Sequence, residues 1–211
     1  MAQAIMKYEQ QLAQAPMPPG KKKVLLAALK LFADKGFHAT TTAKIAQQAG
    51  VSEGTIYKYF TSKEDLLMKL LSPMLNTIKD NFFSQLNNYE QLPALINFFV
   101  HDRSQFVIAN YSFFKLLLQE LLLGESSVVQ LLQAMLTGST GILAKLASLQ
   151  QRFSEINTQL TPIQIARIFI GPLIAYVFQE QMLPDSLITS QSNDLQLVQQ
   201  QILAGLTAPQ L

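Results

Sequence analysis

The chain has 211 residues, enough for one or two domains with a real core. Apolar residues make up 49% and charged ones 14%, which excludes a disordered chain, and the lack of cysteine excludes disulfides and thiolate metal sites. The net charge of +2 conceals a skew: residues 20–70 hold nine lysines against four acids, and the rest seven basic against ten acidic residues. A basic third of this kind either meets a polyanion or is a lysine-rich solvated face.

In chain order, residues 1–20 (MAQAIMKYEQQLAQAPMPPG) lack the apolar run of a secretory leader, and their prolines leave 1–19 as an arm or a frayed short helix. From Lys21 the pattern turns helical, with Val24, Leu25, Ala28, Leu29 and Phe32 at three- and four-residue spacing until Gly36 stops it. FHATTT follows as a loop. Thr41 or Thr42 caps a helix over 42–49 with Ile45, Ala46 and Ala49 inward, and Gly50 makes the tight turn. Ser52 caps the next short helix, whose inward residues are Val51 and Ile56. Ser62 with Asp65 resembles a capping box opening a long helix.

Beyond it, helices are expected over 93–109, 113–123 and 126–153, from Thr161-Pro162 to Met182, and over 192–206. The longest apolar stretch, IFIGPLIAYVF at 168–178, is too short for a bilayer span and contains a Gly-Pro pair. No segment alternates with a period of two. The expectation is an all-α fold of about nine helices, cytoplasmic and without membrane contact: an arm (1–19), a basic three-helix head (20–68) and an apolar body (69–211).

The stretch GVSEGTIYKYF at 50–60 carries the functional signal. Two short helices joined by a glycine turn, with small residues at their crossing, make a helix-turn-helix, whose second helix lies in the DNA major groove. Glu53, Gly54, Thr55, Tyr57 and Lys58 then fall on the outer surface. Glycine inside a helix costs roughly 1 kcal/mol relative to alanine, so Gly54 makes sense where a backbone must approach bases or phosphates. The tyrosine hydroxyls and the Lys58 ammonium suit phosphate oxygens, though Tyr59 also turns partly toward the body. Lys63 and the amides at the start of the following helix offer a second phosphate site.

The run TTTAKIAQQAGVSEGTIYKYFTSKEDLL, preceded by ALKLFADKGF, closely resembles the DNA-binding domain of the TetR family of bacterial transcriptional repressors, over about residues 22–70. The resemblance implies DNA contacts from Thr42, Thr55, Tyr57, Lys58, Tyr59 and Lys63, with Glu53 and Gly54 at the groove floor. Ala43 stands where some members carry a base-reading arginine, and Lys44 beside it joins the DNA-facing set. The resemblance further implies a homodimer on a near-palindromic double-stranded DNA operator, and a helical body that holds a small-molecule effector and dimerises through its last two helices. For the dimer face the apolar residues are Ile168, Ile170, Leu173, Val177, Leu195, Val198, Ile202 and Leu206, more apolar surface than a small body is expected to bury.

For the effector, Phe98, Phe106, Phe113, Phe114 and Met135 are the candidates, among a wider aromatic set that includes Phe82 and Phe83. At helical spacing the same residues also build a plain core. His101, Asp102 and Arg103 form a polar cluster that suits a surface face, and Glu120 either faces a cationic ligand or lies at an exposed edge. No catalytic residue, metal site or cofactor is expected: the two histidines lie 63 positions apart, and GSTG at 138–141 sits within a helix, without the spacing or flanking strands of a nucleophile turn. An apolar-ligand carrier without DNA binding, or a DNA binder without ligand, are the rival readings.

Overall fold

The structure is a computed structural model that describes residues 8–124, 126–137, 141–183 and 191–207, the side chains of 76–82, 126, 191 and 192 excepted. Pro184, residues 138–140 of the GSTG stretch and the Phe82 side chain therefore lie outside the described residues. The described residues contain α-helices and no strand. They are α1 (Tyr8–Gln14), α2 (Pro19–Lys35), α3 (Thr42–Ala49), α4 (Glu53–Tyr59), α5 (Lys63–Leu86), α6 (Leu92–Ala109), α7 (Tyr111–Leu122), α8 (Ser126–Leu136), α9 (Ile142–Arg152), α10 (Pro162–Met182) and α11 (Gln191–Thr207).

Eleven helices among the described residues exceed the nine expected, for two local reasons. Tyr8 and Leu12 are buried, so part of the arm is held as a helix despite the prolines behind it. The stretch expected as one helix over 126–153 is two, α8 and α9. A Cβ on Gly141 would lie 2.4 Å from the Thr137 carbonyl oxygen and 2.6 Å from that of Leu136. Those carbonyls leave no room for a side chain at Gly141, which starts α9 instead of lying within a helix.

The chain forms two compact units, each assembled from two separate stretches. The first joins residues 1–78 to Ala109–Gln133. Its hub is α2, which packs against α1, α3, α4 and α7. Val24, Ala28 and Phe32 on that helix are fully buried, as are Ile45, Ile56, Leu66, Leu70 and Leu116 on its neighbours. Tyr8 fastens α1 to this core. Its hydroxyl donates to the Leu70 carbonyl, its N–H donates to Asn110 Oδ1 at 2.7 Å, and its ring meets Phe113 edge-on at 5.5 Å. Burial pushes the Tyr8 hydroxyl well above the ordinary tyrosine range. Within α5, Pro73 has no N–H to give the carbonyl of Lys69, so the ladder lacks one bond there.

The second unit joins Lys79–Ile108 to Ala134–Leu211, and α10 packs against α9 and α11. Thr161 and Gln164 close a capping box at the expected start of α10, the Thr161 N–H donating to Gln164 Oε1 at 2.7 Å. A Cβ on Gly205 would meet Ile168 Cγ2 at 2.9 Å, so α11 presses directly against α10 at that point. At 21 residues, α10 is long and apolar enough to cross a membrane, which corrects the shorter span read from 168–178. A third of its most apolar window is buried within the protein.

Candidate nucleic-acid interface

The helix-turn-helix is built as α3, a tight turn and α4, within the first unit. Thr41 caps α3, its Oγ1 accepting from the Lys44 N–H at 3.2 Å. Gly50 ends the helix in the left-handed region, at φ 62° and ψ 41°, where a Cβ would be strained. Ile45 and Ile56 are fully buried and fix the crossing, while Ala49 and Val51 are only half-buried. Ser52 precedes α4 as expected but makes no side-chain cap; its Oγ lies 3.0 Å from Thr55 Oγ1 instead.

On the outer face, Lys44, Glu53, Gly54 and Lys58 are exposed, Tyr57 is 54% exposed, and Thr42, Thr55 and Tyr59 are half-exposed. Gly54 has negative φ, and a Cβ there would meet only Ser52 Oγ at 3.9 Å. Among the described residues, nothing requires glycine at that position. Thr42 Oγ1 donates to Glu53 Oε1, which ties the start of α3 to the start of α4. Tyr59 turns inward as its position suggests: a Cβ on Gly20 would touch its ring at 3.4 Å and Thr55 Cγ2 at 3.3 Å, so the start of α2 braces α4. The Lys58 ammonium lies 5.6 Å from the Tyr59 ring centre.

Lys63 departs from the expectation of a free phosphate ligand. Its Nζ donates to the carbonyls of Phe37 and Thr40, each at 3.0 Å, and sits 4.3 Å from the Phe37 ring centre. Two of three ammonium donors are thus engaged in holding the loop between α2 and α3. The first turn of α5 also carries its own acids. Asp65 Oδ2 accepts from the Thr61 N–H at 2.9 Å, and the Asp65 N–H donates to Ser62 Oγ at 3.1 Å. A hydrogen bond from Lys69, then the Thr61 N–H, holds the Asp65 carboxyl below its usual range. Glu64 is lowered by its own backbone N–H and by Ser62.

Sequence reasoning missed two members of this loop. Thr40 is fully buried and its Oγ1 donates to the Gly36 carbonyl at 2.8 Å. His38 is exposed, yet its Nε2 reaches to 3.4 Å from a carboxylate oxygen of Glu120, which is 1% exposed on α7. Glu120 is therefore neither an exposed edge nor open to a ligand on this side. A TTT run gives no hint which threonine turns inward, and His38 is read as a lone histidine without its partner in view.

The effector candidates do not come together in one unit. Phe113 and Phe114 belong to the first, and Phe98, Phe106 and Met135 to the second. Phe113, Phe106 and Met135 are buried, and Phe98 stacks on Tyr89 with ring centres 4.9 Å apart. Arg103 lies against the Phe106 ring and pairs with Asp102, so that pair is largely buried instead of forming a surface face. Burial pulls the Arg103 guanidinium below its usual range, with Asp102 opposing.

The dimer candidates need a larger correction. Leu173, Val177, Leu195, Val198, Ile202 and Leu206 are buried within their own unit, and Ile168 is half-buried against Gly205. Of the eight, Ile170 alone is exposed. The large apolar side chains that remain uncovered on α10 are Ile163, Ile170, Ile174, Phe178 and Met182, with Leu197 among the described residues of α11. From Ile170 they recur every fourth residue, one stripe along α10.

Geometry and surface define a helix-turn-helix protein. Residues 24–70 match the family described as bacterial regulatory proteins, tetR family. The fatty acid metabolism regulator protein of Bacillus subtilis (strain 168) is 46% identical over 52 residues, 25% of this chain and 27% of that protein. The HTH-type transcriptional regulator HbdR of Aromatoleum sp. (strain CIB) is 38% identical over 66 residues, 31% of this chain and 29% of that one. The matches thus span under a third of either relative's length. Through residues 24–70 the chain carries a TetR-family helix-turn-helix domain.

Likeness of fold extends further. The structure of the fatty acid degradation regulator FadR from Bacillus halodurans superposes with a TM-score of 0.68 at 23% identity, over 90% of this chain and 97% of that one. FadR from Bacillus subtilis in complex with stearoyl-CoA gives 0.65 at 20% identity, over 89% and 98%.

Proposed function

We propose that the chain is a cytoplasmic DNA-binding transcriptional repressor that works as a homodimer on a near-palindromic operator and is released by a small, mostly apolar effector. The observation that carries this reading is the uncovered face of α4. Gly54 is bare there with no need for glycine among the described residues, flanked by Glu53, Thr55, Tyr57 and Lys58. Gly54 and Thr55 lie at base edges, and Lys44, Tyr57 and Lys58 serve phosphates, with Thr42 and Glu53 setting the angle between α3 and α4. Lys63 holds the loop and has one donor left for a phosphate.

Residues 20–68 supply the DNA-reading surface, behind the 1–19 arm, and 69–211 supply effector binding and dimerisation. A two-fold partner meets the stripe Ile170, Ile174, Phe178 and Met182. The stearoyl-CoA complex of the Bacillus subtilis neighbour supports an acyl-chain effector, for which Phe98, Phe106 and Met135 offer apolar surroundings in the second unit. The test is fluorescence anisotropy of the chain on DNA from upstream of its own gene, with and without stearoyl-CoA. Binding of that DNA no tighter than of a shuffled sequence would sink the regulator reading. Specific binding unmoved by stearoyl-CoA and shorter acyl-CoA thioesters would sink the effector class alone.

A further inference from the structure

The first unit contains a cleft of about 550 Å³ that none of the assignments above uses. It lies between α1, the segment joining it to α2, the start of α2 and the middle of α5. Its walls are apolar: Leu12, Met17, Leu25, Met68 and Pro73. Two cations, Lys21 and Lys69, also line it. The volume lies within the range of roughly 300–1,000 Å³ that ligand clefts occupy.

The cleft has a structural origin. Tyr8 and Asn110 hold α1 in place, Lys22 Nζ donates to the Ala13 carbonyl at 2.7 Å, and Pro18, at φ −54° and ψ 137°, keeps the joining segment extended. The segment thus spans the gap between α1 and α2 without filling it. Among the described residues, Lys21 has no ion-pair partner. Lys69 is held by Asp65 at 2.9 Å and lies 3.4 Å from the Tyr59 carbonyl.

We infer that this cleft binds an amphiphile with one anionic head and an apolar tail. The tail replaces water along the methionine and leucine walls, and the head sits at Lys21 with Lys69 beside it. A neutral apolar molecule would leave the Lys21 charge uncompensated, and a cation would be repelled by both lysines. An occupant there also touches the supports of α4. Lys21 follows Gly20, which braces Thr55 and Tyr59, and Lys69 contacts the Tyr59 carbonyl. Binding therefore withdraws positive charge from the basic head and shifts the brace beneath its outer helix. The effect on DNA rests on the regulator reading; the site itself does not.

The experiment uses full-length protein with ¹³C-labelled methionine methyl groups, titrated with sodium decanoate and, separately, decanol. Met17 and Met68 report the cleft, and Met135 reports the second unit. Decanoate should shift the Met17 and Met68 signals saturably, and decanol should do so at least fivefold more weakly. Lys21→Gln should weaken decanoate about tenfold. Met17→Glu, at a half-buried position outside any helix, should weaken it further while leaving the melting temperature near wild type. Signals of Met17 and Met68 that stay still below the micelle concentration would overturn the site, as would equal affinity in Lys21→Gln. Movement of Met135 alone would place decanoate in the second unit and overturn it equally. Saturable binding in the cleft by a chain that ignores DNA would keep the site and remove the regulator reading.

Discussion

At the scale of single residues, the clearest test is Gly54. Its surroundings admit a side chain, so Gly54→Leu should fold and gain up to about 1 kcal/mol from helix propensity. Specific DNA binding should vanish in the same protein; a thermally stable variant that still binds its operator would end the argument for close backbone approach. Lys63→Ala is expected to behave differently. Removing an ammonium that two carbonyls share should cost about 1.5–3 kcal/mol in thermal or denaturant unfolding. Asp65 adds a pH dependence. Its folded-state pKa is lowered, chiefly by Lys69, so its contribution is present above the unfolded carboxylate value and is lost as pH falls through the folded one. The melting difference between wild type and Asp65→Asn should therefore be visible at neutral pH and shrink steadily as pH falls below the unfolded carboxylate value of about 3.9. The turn at Gly50 and a cap at Thr41 or Thr42 were legible because such residues act within a few positions of themselves. The partners of Lys63 were not, since Phe37 and Thr40 lie 26 and 23 positions away.

At the scale of the element, α10 shows where periodicity stops being informative. It is apolar nearly all round, so its pattern does not reveal which side its neighbours cover. The structure turns Phe169, Leu173 and Tyr176 inward and leaves Ile170, Ile174 and Phe178 outside. Glutamates at Ile170 and Ile174 together should therefore yield a folded monomer by sedimentation, with operator affinity falling far more than half-site affinity. Ile202→Asp on α11 should instead destabilise the second unit by several kcal/mol, because it buries a carboxylate where an isoleucine is fully enclosed. A dimer that survives the paired glutamates would move the interface off this stripe. Helix boundaries were better served: α3 spans Thr42–Ala49, as its cap and glycine indicate. The division between α8 and α9 was hidden, because Gly141 looks like any glycine until the carbonyls of Leu136 and Thr137 come against it.

At the scale of the whole molecule, the proposed function requires that effector and DNA oppose each other quantitatively. If an acyl effector lowers operator affinity by a given factor, saturating operator must weaken the effector by that factor, measurable by calorimetry on free and DNA-bound protein. An effector whose affinity ignores bound operator is not acting by linkage. The all-helical class and the basic head were readable from periodicity and charge. The grouping of the aromatics was not, because the first unit takes Phe113 and Phe114 from a stretch more than thirty positions beyond the rest of that unit. That discontinuity has a practical consequence for protein engineering. One way to recombine such a chain is to cut after the helix-turn-helix and splice on a foreign domain. Here such a cut would strip α7 from α2, and with it the buried Phe113 and Leu116 and the Asn110 side chain that receives the Tyr8 N–H. The excised head would expose an apolar wound and aggregate, so a working chimera has to carry residues 109–133 along and replace only what lies between and after.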